Sequence, residues 1–462
     1  MTRRSFTRDS RASTPSLKCV GEGAAARLTL AAAVSALALA VGPAHVAYGQ
    51  PAAPNTQPLS VHQQYLAELD KTHAAGLPTA MSAIFPESVP DDQNAYPVYM
   101  KILSGAISSQ DDAEATRILG SLTASPGNAE WDNGRTFITS HPDDFAIAES
   151  AGAKTLCVVA DRATSTDPMD MPFPELGQMR KCARFLWLEG LVENQEGKPL
   201  EALRTQDLAI HIAGQVYGNP TLIGWLVGAA IEAGTLSNIE QIATAGRSDP
   251  AVLAAASRML ASLPAHPLGA RLSDEVAFHI ADLEYWRTKS PSFINTLVAY
   301  ADGNQDLLKP AATVAQMTPS QWNDFLDANG ITLLELYRQI VTAAAEPYPQ
   351  ASAWFRSTDQ ALAKLNGYNT MLVRIVCPAL ANLASKGTKI DGQEMVARAY
   401  VAVLTYKTAH GSFPPTLDQA MSSVPVDPVT LQPLEYHQQD GGFLLYSTVT
   451  SGSFDGATGT WK

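Results

Sequence analysis

From Asn94 to about Ser385 the apolar residues of this chain recur at helical spacing, and the runs are broken by clusters of Gly, Pro and Asp. Nothing before residue 400 alternates at a period of two, so this stretch is expected to be all-α, built from stacked helical hairpins rather than one simple bundle. Several helix starts carry capping chemistry, in which a hydroxyl and a second polar side chain satisfy the free N–H groups of the first turn. Ser60-Val-His-Gln63 opens a helix to about Ala75, Thr318-Pro-Ser-Gln321 adds a first-turn proline, and Ser140-His-Pro-Asp143 repeats the pattern with a carboxylate. The clearest hairpin runs from Glu175 to Tyr217. Leu222 to Ile231 is the most apolar internal run, well short of the roughly twenty residues that cross a bilayer, and it reads as a buried core helix.

The pattern changes near the end of the chain. Val396, Tyr400, Val403 and Leu404 form one stripe of a helix ending near His410, Gly411 suits a left-handed stop, and Pro414-Pro415 prevents resumption. Thr416 and Gln419 read as a further capping pair, and Pro425 with Asp427-Pro428 sets an extended stretch. Leu434-Glu-Tyr436 and Phe443-Leu-Leu-Tyr446 are expected as two short strands joined by an Asp440-Gly-Gly442 hairpin turn. The expected organisation is therefore a signal peptide at 1–49, a flexible N-terminus with a short helix at 50–92, an all-α repeat-like body at 93–390, and a small C-terminal α+β module at 391–462. The fold class is mainly α.

At 462 residues and 46% hydrophobic content the chain can bury a sizeable core. Residues 1–49 carry six basic residues, then the apolar run Leu28–Val41 and Ala47-Tyr-Gly49, the order of a secretory signal, either cleaved after Gly49 or retained as an anchor. Without that segment 26 basic residues face 43 acidic ones, a formal charge of −17, which disfavours nucleic acid and anionic membrane surfaces. Cys157, Cys182 and Cys377 are too few and too far apart for a disulfide framework; one bridge or buried thiols are the alternatives.

No zinc-protease, phosphate-loop, nucleophile-elbow or EF-hand motif is present, and Gly190 to Lys198 reads as helix, turn and next helix start. Glu275 and His279 lie four apart on one helix, with Asp274 and Asp282 nearby, as a weak candidate for a metal or acid/base face against a solvated or hydrogen-bonded one. His211 reads as a satisfied core or groove histidine. The pairs Asp91-Asp92, Asp111-Asp112 and Asp143-Asp144 suit first-turn capping. Trp131, Trp187, Trp225, Trp286, Trp322 and Trp354, one to a segment, suit core anchors. No catalytic, cofactor-binding or metal residue is assigned, and no cofactor is expected.

Gly411-Ser-Phe-Pro414, Pro425-Val-Asp-Pro428, Leu444-Leu-Tyr-Ser447 and Trp461 follow one another as in the globular domain of type II secretion pseudopilins, which the module resembles. That resemblance implies an exported setting and, in the last loop, a calcium site, for which Asp455 is the one carboxylate present. The module stands at the opposite end from its place in a pseudopilin, and the N-terminus lacks a prepilin-peptidase pattern, so the resemblance does not extend to fibre assembly. Gly190, Gly197, Ala202 and Ala209 are similar to the small-residue positions of a tetratricopeptide repeat, although Glu189, Glu193 and Gln206 depart from it. The Thr2-Arg3-Arg4-Ser5-Phe6 start resembles a twin-arginine signal, with Sec export as the alternative. Asn94-Ala-Tyr-Pro-Val-Tyr99, Leu176-Gly-Gln-Met-Arg180, Pro220-Thr-Leu-Ile223 and the tail make the whole chain similar to exported bacterial proteins with a helical body, a likeness that brings no activity.

The expected protein is exported to the periplasm or beyond and soluble, a scaffold that binds other proteins or an envelope component, with no membrane span in the mature chain. The alternative is an exported hydrolase-like enzyme with a dispersed acidic and histidine site in the helical body.

Overall fold

A computed structural model of the chain describes residues 58–462 apart from 87, 124–125, 160–161, 165–167, 169–170, 301–304, 378 and 457. The expected signal segment and the start of the mature tail lie outside the described residues. The fold is mainly α and closes with a small antiparallel sheet. In order, α1 (Val61–Ala74), α2 (Tyr96–Lys101), α3 (Ser109–Leu122), α4 (Asn128–Ser140) and α5 (Pro142–Gly152) precede the hairpin of α6 (Pro174–Gln195) and α7 (Pro199–Tyr217). Then come α8 (Leu222–Ala245), α9 (Pro250–Ala261), α10 (Leu268–Arg287), α11 (Ile294–Tyr300), α12 (Gln305–Val314), α13 (Pro319–Ala344), α14 (Tyr348–Leu362), α15 (Met371–Val376) and α16 (Leu380–His410).

The caps at Ser60 and Thr318 form as reciprocal boxes, with Gln63 and Gln321 accepting from the cap N–H groups at 2.9 Å. The expected cap at Ser140 does not form. Its hydroxyl bonds back to the Thr136 and Phe137 carbonyls, so Ser140 ends α4, and His141 with first-turn Pro142 begins α5.

The hairpin of α6 and α7 closes tightly because of what stands opposite Gly190. The Gln206 side chain is fully buried there, donating to the Leu186 carbonyl at 2.9 Å and accepting from Asn238 of α8 at 3.1 Å. A Cβ on Gly190 would stand 2.1 Å from Gln206 Nε2.

The apolar run read as Leu222 to Ile231 extends into the 24 residues of α8. Among the described residues α8 is the one helix long and apolar enough to cross a bilayer, by length and composition. Here it packs against α6, α7 and α16, and it buries Glu232, Thr235 and Asn238.

The C-terminal strands are β1 (Glu435–Gln439), β2 (Gly442–Tyr446), β3 (Ser451–Asp455) and β4 (Thr460–Trp461), paired antiparallel in that order. Two strands were expected; β3 escapes a reading by alternation because one of its two alternating buried positions, Gly452, has no apolar side chain. The stripe Val396, Tyr400, Val403 and Leu404 of α16 packs on Phe443, Leu445 and Phe454, and Trp461 stacks on Tyr400 at 4.5 Å. Gly411 takes the left-handed cap at φ 77° as expected. Thr416 makes no cap bond, and Leu417–Gln419 is a short 3-10 turn. Since α16 runs from Leu380 to His410, no linker separates the module from the body at residue 390.

Candidate functional site

A cleft of about 760 Å³ opens beside α16. It exists because the facing positions are small: Gly269 and Ala270 on α10, Ala344 and Ala345 at the end of α13, Ala351 on α14, and Ala384 and Gly387 on α16. Trp225 of α8 and Phe355 of α14 complete the apolar wall. His266, Ser273, Glu346, Thr388 and Asp391 are the polar lining, with Glu346 and Asp391 exposed.

His266 belongs to the Pro264-Ala-His-Pro267 connection between α9 and α10, whose prolines restrict the backbone. Trp225 Nε1 donates to the His266 carbonyl at 2.9 Å and anchors that connection to α8. The imidazole Nε2 lies 2.6 Å from Glu394 Oε1 and 3.9 Å from Asp391 Oδ1, both on α16. Glu232, fully buried in the middle of α8, completes the group; one ligand atom each from Glu232, His266 and Glu394 lie within 4.8 Å of one another. The cluster meets the cleft through His266 and Asp391.

The outer carboxylate oxygens have donors. Tyr217 donates to Glu232 Oε2 at 2.7 Å, and Arg398 donates to Glu394 Oε2 at 2.8 Å. No donor reaches Glu232 Oε1. Burial first, and the Glu394 carboxylate second, push the Glu232 carboxyl well above its ordinary value. Burial also opposes ionisation of Glu394, but the bonds from His266 and Glu232 hold it below the usual range. Burial works against the imidazolium too, yet the bond to Glu394 and the surrounding carboxylates raise His266 to about 9. At neutral pH the group thus consists of a protonated Glu232, an ionised Glu394 and an imidazolium, a buried acid and base side by side. With its protons removed it offers one imidazole nitrogen and two carboxylates to a cation.

The residues singled out from sequence lie elsewhere. Glu275 accepts from the Leu222 N–H at 2.9 Å, so it caps α8, and burial pushes its carboxyl up to about 7. His279 is buried with Nε2 2.8 Å from the Tyr337 hydroxyl, and burial lowers it to about 4. Asp274 pairs with Arg271 at 3.1 Å. His211 is exposed, with Nδ1 3.2 Å from the Gly152 carbonyl. Asp111-Asp112 and Asp143-Asp144 occupy first helical turns, and the backbone carbonyls of Asp91 and Asp92 accept from Lys154. Trp225, Trp286 and Trp322 are core anchors, while Trp131, Trp187 and Trp354 are half-buried. Among the described residues Cys157, Cys182 and Cys377 are free thiols, and burial pushes each up to about 12.

Two sequence features mark members of the cluster without joining them: Glu232 directly after the apolar run that ends at Ile231, and Asp391 and Glu394 three apart on one helical face. In comparisons with protein-family models, curated proteins and solved structures, nothing matches this chain.

Proposed function

We propose that this is an exported, non-catalytic binding protein of the cell envelope, a helical scaffold whose cleft takes the apolar part of an amphipathic, positively charged ligand. The observation that carries the reading is the cleft itself. Its volume of about 760 Å³ and its apolar walls with a few polar groups are those of a ligand pocket. Exposed Asp391 and Glu346 favour a cationic end on the ligand, as does the chain's formal charge of −13. The partner is then another protein or an envelope component presenting such a group.

Export rests on the order of basic, apolar and small residues in 1–49. The pseudopilin-like reading of the module is supported by the sequence of helix, left-handed Gly411, Asp427 turn and paired strands. The repeat-like reading of the body is supported by the close approach of α6 and α7 at Gly190.

A thermal-shift comparison of octylamine with octanoate tests the proposal. The amine is expected to raise the melting temperature and the acid to leave it unchanged; equal shifts, or none, would contradict it. A second reading, hydrolysis, is favoured by the proton donor and acceptor that Glu232 and Glu394 provide behind His266. It requires turnover of chromogenic esters or amides with apolar acyl groups that is lost in Glu394→Gln.

A further inference from the structure

We infer that Glu232, His266 and Glu394 form a binding site for one divalent first-row transition ion, with Asp391 or water as a further ligand. The site shares His266 and Asp391 with the wall of the cleft, and its test uses the ion alone.

Three features of the geometry carry it. The three donors come from α8, the connection before α10, and α16, so the fold has assembled them from separate elements. The outer oxygens, Glu232 Oε2 and Glu394 Oε2, are held by Tyr217 and Arg398, the kind of outer hydrogen bond that orients ligating carboxylates. Glu232 is fully buried and its Oε1 accepts from no donor, which leaves a lone pair of that oxygen for a cation.

The dimensions also fit. Ligand atoms at about 2.0–2.2 Å from one ion stand roughly 3.3–3.6 Å apart in a tetrahedron, so atoms now within 4.8 Å of one another close by less than about 1 Å per side chain, within the reach of side-chain rotation. His266 Nε2 and Glu394 Oε1, now 2.6 Å apart, would open slightly around the ion. One imidazole with two or three carboxylates suits Zn²⁺, Mn²⁺ or Fe²⁺ better than a thiolate-seeking ion or a calcium site built only from oxygen.

The test uses the untagged full chain, stripped with chelator and titrated with Zn²⁺. Calorimetry and elemental analysis are expected to give one ion per chain, bound at least about tenfold more weakly by Glu232→Gln, which keeps the bond from Tyr217. X-ray absorption of the Zn²⁺-loaded wild type is expected to show one imidazole, oxygen ligands and no sulfur, a readout that does not depend on any variant folding. Failure of the wild type to take up Zn²⁺ stoichiometrically, a sulfur-bound or imidazole-free spectrum, or a folded Glu232→Gln that binds like wild type would each overturn the site.

Discussion

At the scale of single residues, Asp427 governs the C-terminal module. Its carboxylate accepts the N–H groups of Val429 at 2.8 Å, Thr430 at 2.9 Å and Thr448 at 2.8 Å, and the Ser447 hydroxyl at 2.7 Å. The turn before β1 and the loop after β2 are thereby tied to one side chain. Burial alone would raise its carboxyl, but the bonds from Thr430, Ser447, Thr448 and Val429 hold it at about 2, below the ordinary 3.8. Because the folded value is depressed, the stability it contributes is present above 3.8 and lost as the pH falls through about 2. Asp427→Asn is expected to cost about 2 kcal/mol at neutral pH, since it weakens four charge-assisted bonds, one of them to the buried Ser447 hydroxyl. Urea unfolding at pH 7 and at pH 3 checks both statements, the variant losing less on acidification than wild type. From sequence Asp427 reads as part of an extended stretch; neither the turn it closes through Val429 and Thr430 nor its bonds to Ser447 and Thr448, some twenty positions on, were legible.

At the scale of elements, what sequence reveals divides by range. The boxes at Ser60 and Thr318, the hairpin of α6 and α7 and the stop at Gly411 depend on residues within a turn or two, and all are readable. Ser140 misled because a hydroxyl before Pro142 can as well close the helix behind it. The Glu232, His266 and Glu394 cluster could not be assembled from sequence for a different reason. His266 and Glu394 are 128 positions apart, and only the packing of α8 and α16 brings their surroundings together. Gln206, a departure from a repeat pattern when read alone, is the residue to which Gly190 yields space. Gly190→Ala is therefore expected to destabilise the chain by about 2 kcal/mol through overpacking, despite its better helix propensity. Chemical denaturation of this variant beside Gly177→Ala, whose Cβ would meet nothing within 4 Å, separates the packing effect from propensity.

At the scale of the whole molecule, the core shelters several carboxyls away from the cluster. Burial pushes Glu189 up to about 8, and Glu240 and Glu275 up to about 7, each from an ordinary 4.5. A raised folded value contributes stability that is full below 4.5 and lost as pH rises through the folded value. His279 opposes this only below its ordinary 6.5, where protonation begins to disfavour the buried neutral ring. Between pH 6.5 and pH 8 the melting temperature is thus expected to fall, and the Glu240→Gln, Glu275→Gln double variant is expected to flatten the decline. The same enclosed body leaves the cleft beside α16 open, and the claim that this cleft is the ligand site is the one on which the functional account turns. Gly387 tests it most directly, since a Cβ there meets Trp225 at an ordinary 3.4 Å and a longer side chain fills the cleft without straining the helix. Calorimetric titration with octylamine should give a dissociation constant at least about tenfold weaker for Gly387→Leu than for wild type, at an undiminished melting temperature. Equal dissociation constants for the two proteins would contradict the account.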